Sequence, residues 1–174
     1  VFDASYSVTK LGTVAVPSKT PSVDAAMPRN SSDLAKVNHI RKGKILAITN
    51  GCFDLLHAGH VDFLSKCAAL ADVLVVLINS DQSIKRLKGT GRPINSMACR
   101  RRVLEGIKGV DLVIEFDADT PFELIKKIKP DYLVKGGDYS NKEIVGASHV
   151  ISYGGEVVVI PIKHEISTTK IVQK

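Results

Sequence analysis

Tryptophan is absent, cysteine is scarce, and the familiar nucleotide-handling signatures are missing. Each absence excludes something. No stretch approaches the roughly 18 apolar residues that a membrane span requires, and no charged start precedes an apolar core at the N-terminus, as a signal peptide would show. The three cysteines, Cys52, Cys67 and Cys99, are an odd number without paired spacing. They read as reduced thiols of a cytoplasmic protein, and the lack of any CxxC argues against a zinc site. There is no GxxxxGK[ST], which disfavours P-loop chemistry, and no GxGxxG after the first strand, which argues against a dinucleotide dehydrogenase. No GxSxG supports a catalytic triad. His57 and His60 stand three apart without the glutamate of HExxH. The first residue is Val, which suggests a fragment or a processed product.

What is present is a local excess of positive charge. The chain carries a net charge of +6. Residues 81–109 hold Lys85, Arg86, Lys88, Arg92, Arg100, Arg101, Arg102 and Lys108 against Asp81 and Glu105. Basic and acidic residues balance over the rest of the chain. A concentrated excess favours one anionic ligand site over a generally basic surface, although several of these residues would also serve as solvated helix faces. A nucleic-acid-binding module is a competing reading. Phe and Tyr are few and not interleaved with the basic run, as stacking platforms would require.

The organisation follows from periodicity. Residues 17–32 carry three prolines and no pattern and read as a linker. We therefore divide the chain into an extension over 1–31 and a domain over 32–174. Ser32 or Asp33 would cap a short helix to about Arg41, with Gly43 ending it. Strands are predicted at 45–49, 73–78, 111–115, 131–135 and 156–161, and helices at 59–71, 81–88, 97–108, 120–129 and 142–150. Thr120-Pro121 reads as a helix start with Thr as the cap. Lys129-Pro130 would end that helix. Strands apolar throughout, such as Val73-Leu74-Val75-Val76-Leu77-Ile78, are covered on both faces. Repeated βα units of this kind predict an α/β fold: a Rossmann-like, doubly wound parallel sheet of about five strands. Ligands sit beyond the carboxyl ends of such strands, which gathers the loops 50–60, 79–81, 135–139 and the segment after 156–161 around one cleft.

The most informative segment is Gly51-Cys52-Phe53-Asp54-Leu55-Leu56-His57-Ala58-Gly59-His60, at a strand-to-helix junction. Free backbone N–H groups and a helix dipole lie there beside two imidazoles, which suits a polyphosphate. This segment resembles the GxFDxxHxGH motif of the HxGH nucleotidyltransferases. Ile166-Ser167-Thr168-Thr169 resembles their second motif. Ile78-Asn79-Ser80-Asp81, Lys85-Arg86-Leu87-Lys88-Gly89, Gly91-Arg92-Pro93-Ile94-Asn95 and Leu133-Val134-Lys135-Gly136-Gly137-Asp138-Tyr139 are similar to the D-glycero-β-D-manno-heptose-1-phosphate adenylyltransferases. Those domains are often the C-terminal half of a bifunctional heptose kinase/adenylyltransferase. Val8-Thr9-Lys10-Leu11-Gly12-Thr13 looks like the tail of the kinase half. Before Arg100 this chain departs from the family, with Ser96-Met97-Ala98-Cys99.

The resemblance implies transfer of AMP from ATP to heptose 1-phosphate, giving ADP-heptose and pyrophosphate for the lipopolysaccharide core. It assigns catalysis to His57, His60 and Lys88. It places nucleotide or phosphate contacts at Asn50, Gly51, Cys52, Phe53, Gly59, Arg92, Arg100, Gly136, Gly137, Asp138, Ser167 and Thr168. Cys52 is expected to pack under the motif loop. Asp54 would hold the loop or orient an imidazole, and Asp81 either caps a helix or contributes to the site. Mg²⁺ would be held mainly by ATP, without a metal site built by the protein. ATP and heptose 1-phosphate are the expected partners, with no nucleic acid and no membrane. A homo-oligomer and a kinase domain, in this chain or another, are compatible with this reading. The nearest rival is a cytidylyltransferase acting on glycerol 3-phosphate or ethanolamine phosphate. It shares the two phosphate motifs but tends to carry a Gly-Asp-Asp-Trp-like run where this chain has Gly-Gly-Asp-Tyr.

Overall fold

A computed structural model describes residues 29–137 and 144–161. The elements run α1 (Arg29–Arg41), β1 (Leu46–Gly51), α2 (Ala58–Ala68), β2 (Val73–Asn79), α3 (Asp81–Lys88), α4 (Met97–Glu105), β3 (Leu112–Phe116), α5 (Phe122–Ile128), β4 (Tyr132–Gly136), α6 (Ala147–Ser152) and β5 (Glu156–Ile160). The five strands form one sheet in the order β3-β2-β1-β4-β5, parallel throughout. This is the doubly wound architecture expected from the βα repeats.

The alternation within β2 shows why these runs become central strands. Val73, Val75 and Leu77 enter one core with Leu46, Ile48 and the apolar faces of α1, α5 and α6. Leu74, Val76 and Ile78 enter a second core on the opposite face, with Phe63, Leu64 and Cys67 of α2 and Leu104 of α4. All seven residues of β2 are buried. A strand buried on both faces needs helices on both sides. The strand order turns back between β1 and β4, because β2 and β3 lie on one side of β1 while β4 and β5 lie on the other. Ligand crevices open at such a reversal.

One device recurs at the amino ends of the strands. The carboxylate of Asp72, just before β2, accepts the Ile45 N–H at 2.9 Å. Asp111, before β3, accepts Leu74 N–H at 2.8 Å, and Asp131, before β4, accepts Leu46 N–H at 2.8 Å. Each aspartate closes a backbone donor that the ladder leaves open. Asp131 also pairs with Arg41 at 3.3 Å, and Arg41 donates to Ile128 O at 2.8 Å and Lys129 O at 2.7 Å. The end of α1 is thereby fastened to the end of α5.

Several boundaries differ from expectation for physical reasons. Helix α1 begins at Arg29, so Asp33 lies inside it, buried and paired with Lys36 at 3.1 Å, and is not the cap. Thr120 is not the cap of α5: Pro121 occupies that position and no side chain caps the helix. Lys129 adopts φ +50° and ends α5 ahead of Pro130, as expected. Helix α6 starts only at Ala147, because Gly146 has φ +89° and an added Cβ there would lie 3.0 Å from Ile125. Residues 142 and 143 of the predicted 142–150 helix lie outside the described residues.

Replacing Asp131 with Ala orphans the Leu46 N–H and removes the carboxylate partner of Arg41. We expect a loss of about 1–3 kcal/mol, read as a lowered urea midpoint with an unchanged slope.

Candidate functional site

The cleft lies at the carboxyl ends of β1 and β4. Asn50, Gly51, Cys52, Phe53 and Asp54 form one wall, Lys135 and Gly136 another, and His60, Phe63 and Lys88 close it. The structure thus brings His60, Lys88 and residues 50–54 of the first motif together, whereas His57 is not among the residues lining this cleft.

His57 caps α2 in an extended conformation, φ −141° and ψ 171°. Its backbone N–H donates to Nδ1 of His60 at 3.3 Å, and its carbonyl accepts the His60 N–H at 2.9 Å. The two ring centroids lie 3.9 Å apart. Because Nδ1 of His60 accepts, the ring hydrogen of the neutral form resides on Nε2. Burial, then the neighbouring His57 and Lys88, push the His60 pKa down to about 4. At neutral pH this residue is an uncharged donor. Gly59 is buried in the first turn of the same helix.

Phe53 has φ +47°, the left-handed region that non-glycine residues avoid. Its ring is buried and meets His60 edge-on at 5.5 Å. Gly51 makes room for it: a Cβ at Gly51 would lie 3.1 Å from that ring. Cys52 is half-buried, lines the cleft and places Sγ 3.8 Å from Asn79 Oδ1, so its thiol is not packed wholly beneath the loop.

Asp54 is buried, and its role is to hold a loop. Oδ1 accepts the N–H groups of Ile94 at 2.8 Å and Asn95 at 3.0 Å, while the Asn95 amide donates back to Asp54 O at 2.9 Å. Arg92 Nη1 lies 2.8 Å from Asp54 Oδ2 but is not aligned as a hydrogen bond, so neither atom is saturated. The segment after α3 is thus pinned against the motif loop.

Arg100 requires a correction. The resemblance assigned it to phosphate, but its side chain is fully buried and spoken for by protein acceptors. Nη1 donates to Cys52 O at 2.7 Å, Nη2 to Asn79 O at 2.9 Å and Asp81 Oδ1 at 2.7 Å, and Nε to Asn95 O at 3.1 Å. Asp81 is likewise not the cap of α3. Ser80 is, its hydroxyl accepting the Ser83 N–H at 3.0 Å, which leaves Asp81 to neutralise Arg100.

Other basic residues of the 81–109 run are paired as well. Arg86 meets Asp119 at 3.0 Å and Asp117 at 3.1 Å, and Arg101 meets Glu105 at 2.8 Å. His149 packs between Phe122 and Tyr153, away from the cleft. Gly136 pairs with Ile160 in the sheet, and the Gly137 N–H donates to Ile160 O at 3.0 Å, so that amide is unavailable to a base. Asp138, Ser167 and Thr168 lie outside the described residues.

The sequence reading missed Lys135 as a cation of the cleft. It stands one residue before the end of β4, half-buried, and partial burial holds its ammonium below the ordinary lysine value, opposed by the nearby Cys52. The available signal was a single charge in the apolar run Tyr132-Leu133-Val134.

Among the described residues, no cluster of three His, Cys, Asp or Glu side chains is placed to hold a metal ion. Asp54, Asp81 and Asp119 are engaged by arginines. No described helix is long and apolar enough to cross a membrane.

Two expectations follow. Arg100→Leu strands Asp81 and three carbonyls. It costs about 3 kcal/mol, the low end for a broken buried pair because Asp81 keeps contact with water. Urea unfolding measures the loss, and Asp81→Asn in the same chain recovers part of it. By histidine C2–H NMR, His60 titrates near pH 4 in the free protein. Its native pKa lies below the unfolded one, so only the unfolded state binds this proton between about 6.5 and 4. The His60 contribution to stability therefore falls as pH drops through that window.

Comparison with known proteins places this geometry. Residues 48–174 match a family model described as cytidylyltransferase-like. A "Bifunctional protein HldE" from Marinomonas sp. is 43% identical over 187 residues, covering 98% of this chain and 38% of that protein. The protein of that name from Alcanivorax borkumensis is 53% identical over 133 residues, covering 76% of this chain and 28% of its own. The chain therefore spans well under half the length of these relatives. A solved structure described as a lipopolysaccharide core biosynthesis protein, from Thermoplasma volcanium, shares 28% identity at a TM-score of 0.57, covering 71% of this chain and 100% of that one. A pantoate-beta-alanine ligase from Francisella tularensis, 14% identical with a TM-score of 0.54 over 80% of this chain and 74% of its own, shares the fold alone. With that match over most of its length, and with the parallel sheet and paired-histidine loop in place, this chain belongs to the cytidylyltransferase-like family.

Proposed function

We propose that the chain is the nucleotidyltransferase part of a bifunctional protein and transfers AMP from MgATP to D-glycero-β-D-manno-heptose 1-phosphate. The carrying observation is the cleft that gathers Asn50 to Asp54, His60 and Lys88 at the amino end of α2. The identity to the HldE proteins supports the heptose substrate. A kinase activity would reside in the remaining length of such a protein. The three free thiols suit a cytoplasmic location.

In this reaction an oxygen of the sugar 1-phosphate attacks the α-phosphorus of ATP. The bond from that phosphorus to the bridging oxygen of the β-phosphate breaks, and pyrophosphate leaves. The attacking oxygen is already anionic, so no base is needed. The barrier lies in bringing anions together and in the charge that develops on the leaving group, which positioning and fixed donors reduce. His57 and the neutral His60 donate to the triphosphate beside the α2 dipole, and Lys88 reaches the transferred phosphate. Arg92, held only by an unsaturated contact to Asp54, exchanges that partner for phosphate. Asn50, Gly51, Cys52 and Phe53 shape the phosphate wall. Arg100, Asp54 and Asp81 act by positioning. The resemblance assigns Gly136, Gly137 and Asp138 to the base and Ser167 and Thr168 to the β- and γ-phosphates, of which Asp138, Ser167 and Thr168 lie outside the described residues. Magnesium travels with ATP and is part of the substrate, which suits a cleft whose carboxylates are engaged.

Pyrophosphate release measured with ATP, CTP, GTP and UTP against several sugar phosphates tests this. ATP with heptose 1-phosphate gives the highest rate. A preference for CTP with glycerol 3-phosphate or ethanolamine phosphate would overturn the assignment. His60→Ala lowers kcat by about 10²-fold or more, the effect of losing one preorganised donor, while the thermal transition is retained. Unchanged turnover would remove His60 from the mechanism.

A further inference from the structure

Lys135 is unlike the other cations of the cleft. Arg92 and Arg100 have carboxylate partners, and Lys88 stands exposed at the rim. Lys135 is half-buried near the carboxyl end of β4, and among the described residues no carboxylate pairs with it. An ammonium desolvated without a partner costs free energy that an incoming anion would recover. Its place is also distinctive. β1 and β4 flank the reversal of strand order, and Asn50 and Lys135 stand near their carboxyl ends.

The cleft with His60 and Lys88 is not the only hollow there. A second one is walled by Asp119, Thr120 and Pro121 ahead of α5 and by Ile144 and Val145 ahead of α6. Asn50 and Lys135 line both. In-line displacement puts the entering and leaving oxygens on opposite sides of the α-phosphorus. With pyrophosphate at the amino end of α2, the acceptor must enter from the opposite side. The second hollow shares Asn50 and Lys135 with the first, and α5 and α6 beside it pack on the sheet face opposite α2.

Resting on the nucleotidyltransferase reading, we propose that Lys135 binds the phosphate monoester of the acceptor, and that the hollow beyond it holds the acceptor's polyol body. Lys135 then neutralises the entering phosphate as it nears the triphosphate. Thr120 and the Asn50 amide offer hydrogen-bonding groups to hydroxyls there.

Lys135→Met keeps the apolar stem and deletes the charge. We expect KM for heptose 1-phosphate to rise about tenfold or more, as for one lost charge-assisted hydrogen bond. KM for ATP should change by less than about threefold, and Lys135→Arg should restore part of the acceptor affinity. Binding is read without turnover in the full chain by ¹³C-dimethylation of its lysines, the Lys135 signal being assigned by its loss in Lys135→Arg. That signal should move on adding heptose 1-phosphate or glycerol 3-phosphate, and not with α,β-methylene ATP alone. Movement with the ATP analogue alone, or an equal rise in both KM values, would overturn the proposal and leave the reaction assignment standing. Silence towards every phosphomonoester would also overturn it. If the wild-type chain ignores heptose 1-phosphate yet its Lys135 signal answers glycerol 3-phosphate, the heptose assignment fails and the lysine assignment survives.

Discussion

The buried guanidinium of Arg100 is the constraint on which the cleft depends. It reaches Cys52 O beyond β1, Asn79 O at the end of β2, Asn95 O in the segment after α3, and the Asp81 carboxylate. Withdrawing a guanidinium from water costs several kcal/mol unless nearly every donor finds an acceptor. Here the acceptors come from three separate pieces of chain, so the pieces cannot separate without exposing that cost. The planar fork matters, because a lysine could not address carbonyls in three directions at fixed angles. Asp54 extends the arrangement by fixing Ile94 and Asn95 from the other side. The loop that follows Lys88 is therefore held to the histidine loop by buried polar bonds.

Pairing also redistributes charge. The run over 81–109 is strongly basic as sequence, yet Arg86, Arg92, Arg100 and Arg101 each meet a carboxylate. Three of those acids, Asp54, Asp117 and Asp119, lie outside the run. What faces the cleft is a smaller set: Lys88, Lys135, the amino end of α2 and an uncharged His60. Positive charge in the cleft is therefore narrower than the composition of the run implies. Keeping His60 neutral limits repulsion among the cations before the ligand arrives, while its Nε2 hydrogen still points donor character at an anion.

The strands were legible because each is a short apolar run between turn signals, and all five fall within two residues of expectation. The errors have a common origin. Sequence shows that a residue is charged or able to cap, but not which competitor wins. Asp81 and Ser80 both suit a cap; Ser80 takes it because Arg100 claims Asp81. Arg100 looked like a ligand-binding cation because burial is a tertiary property. Gly146 displaced a helix start through a backbone angle that the apolar pattern does not encode. The aspartate before each of β2, β3 and β4 was visible in the chain, yet its use appears only when neighbouring strands are aligned.

The motif glycine and phenylalanine connect fold to chemistry in a way that spacing alone does not reveal. A left-handed Phe53 costs on the order of 1 kcal/mol or more and persists only if its surroundings demand it. They do so from two sides. The following residue, Asp54, is locked by backbone donors, and the preceding carbonyl, that of Cys52, is locked by Arg100. With its backbone pinned at both neighbours, the Phe53 ring turns inward over Gly51 and meets His60 edge-on. That contact, with the backbone bond from His57, leaves the imidazole little freedom to rotate away from the cleft. The strain at Phe53 is thus a consequence of the same bonds that aim His60. A larger residue at Gly51 would displace the ring and loosen the aim before it disturbed the sheet.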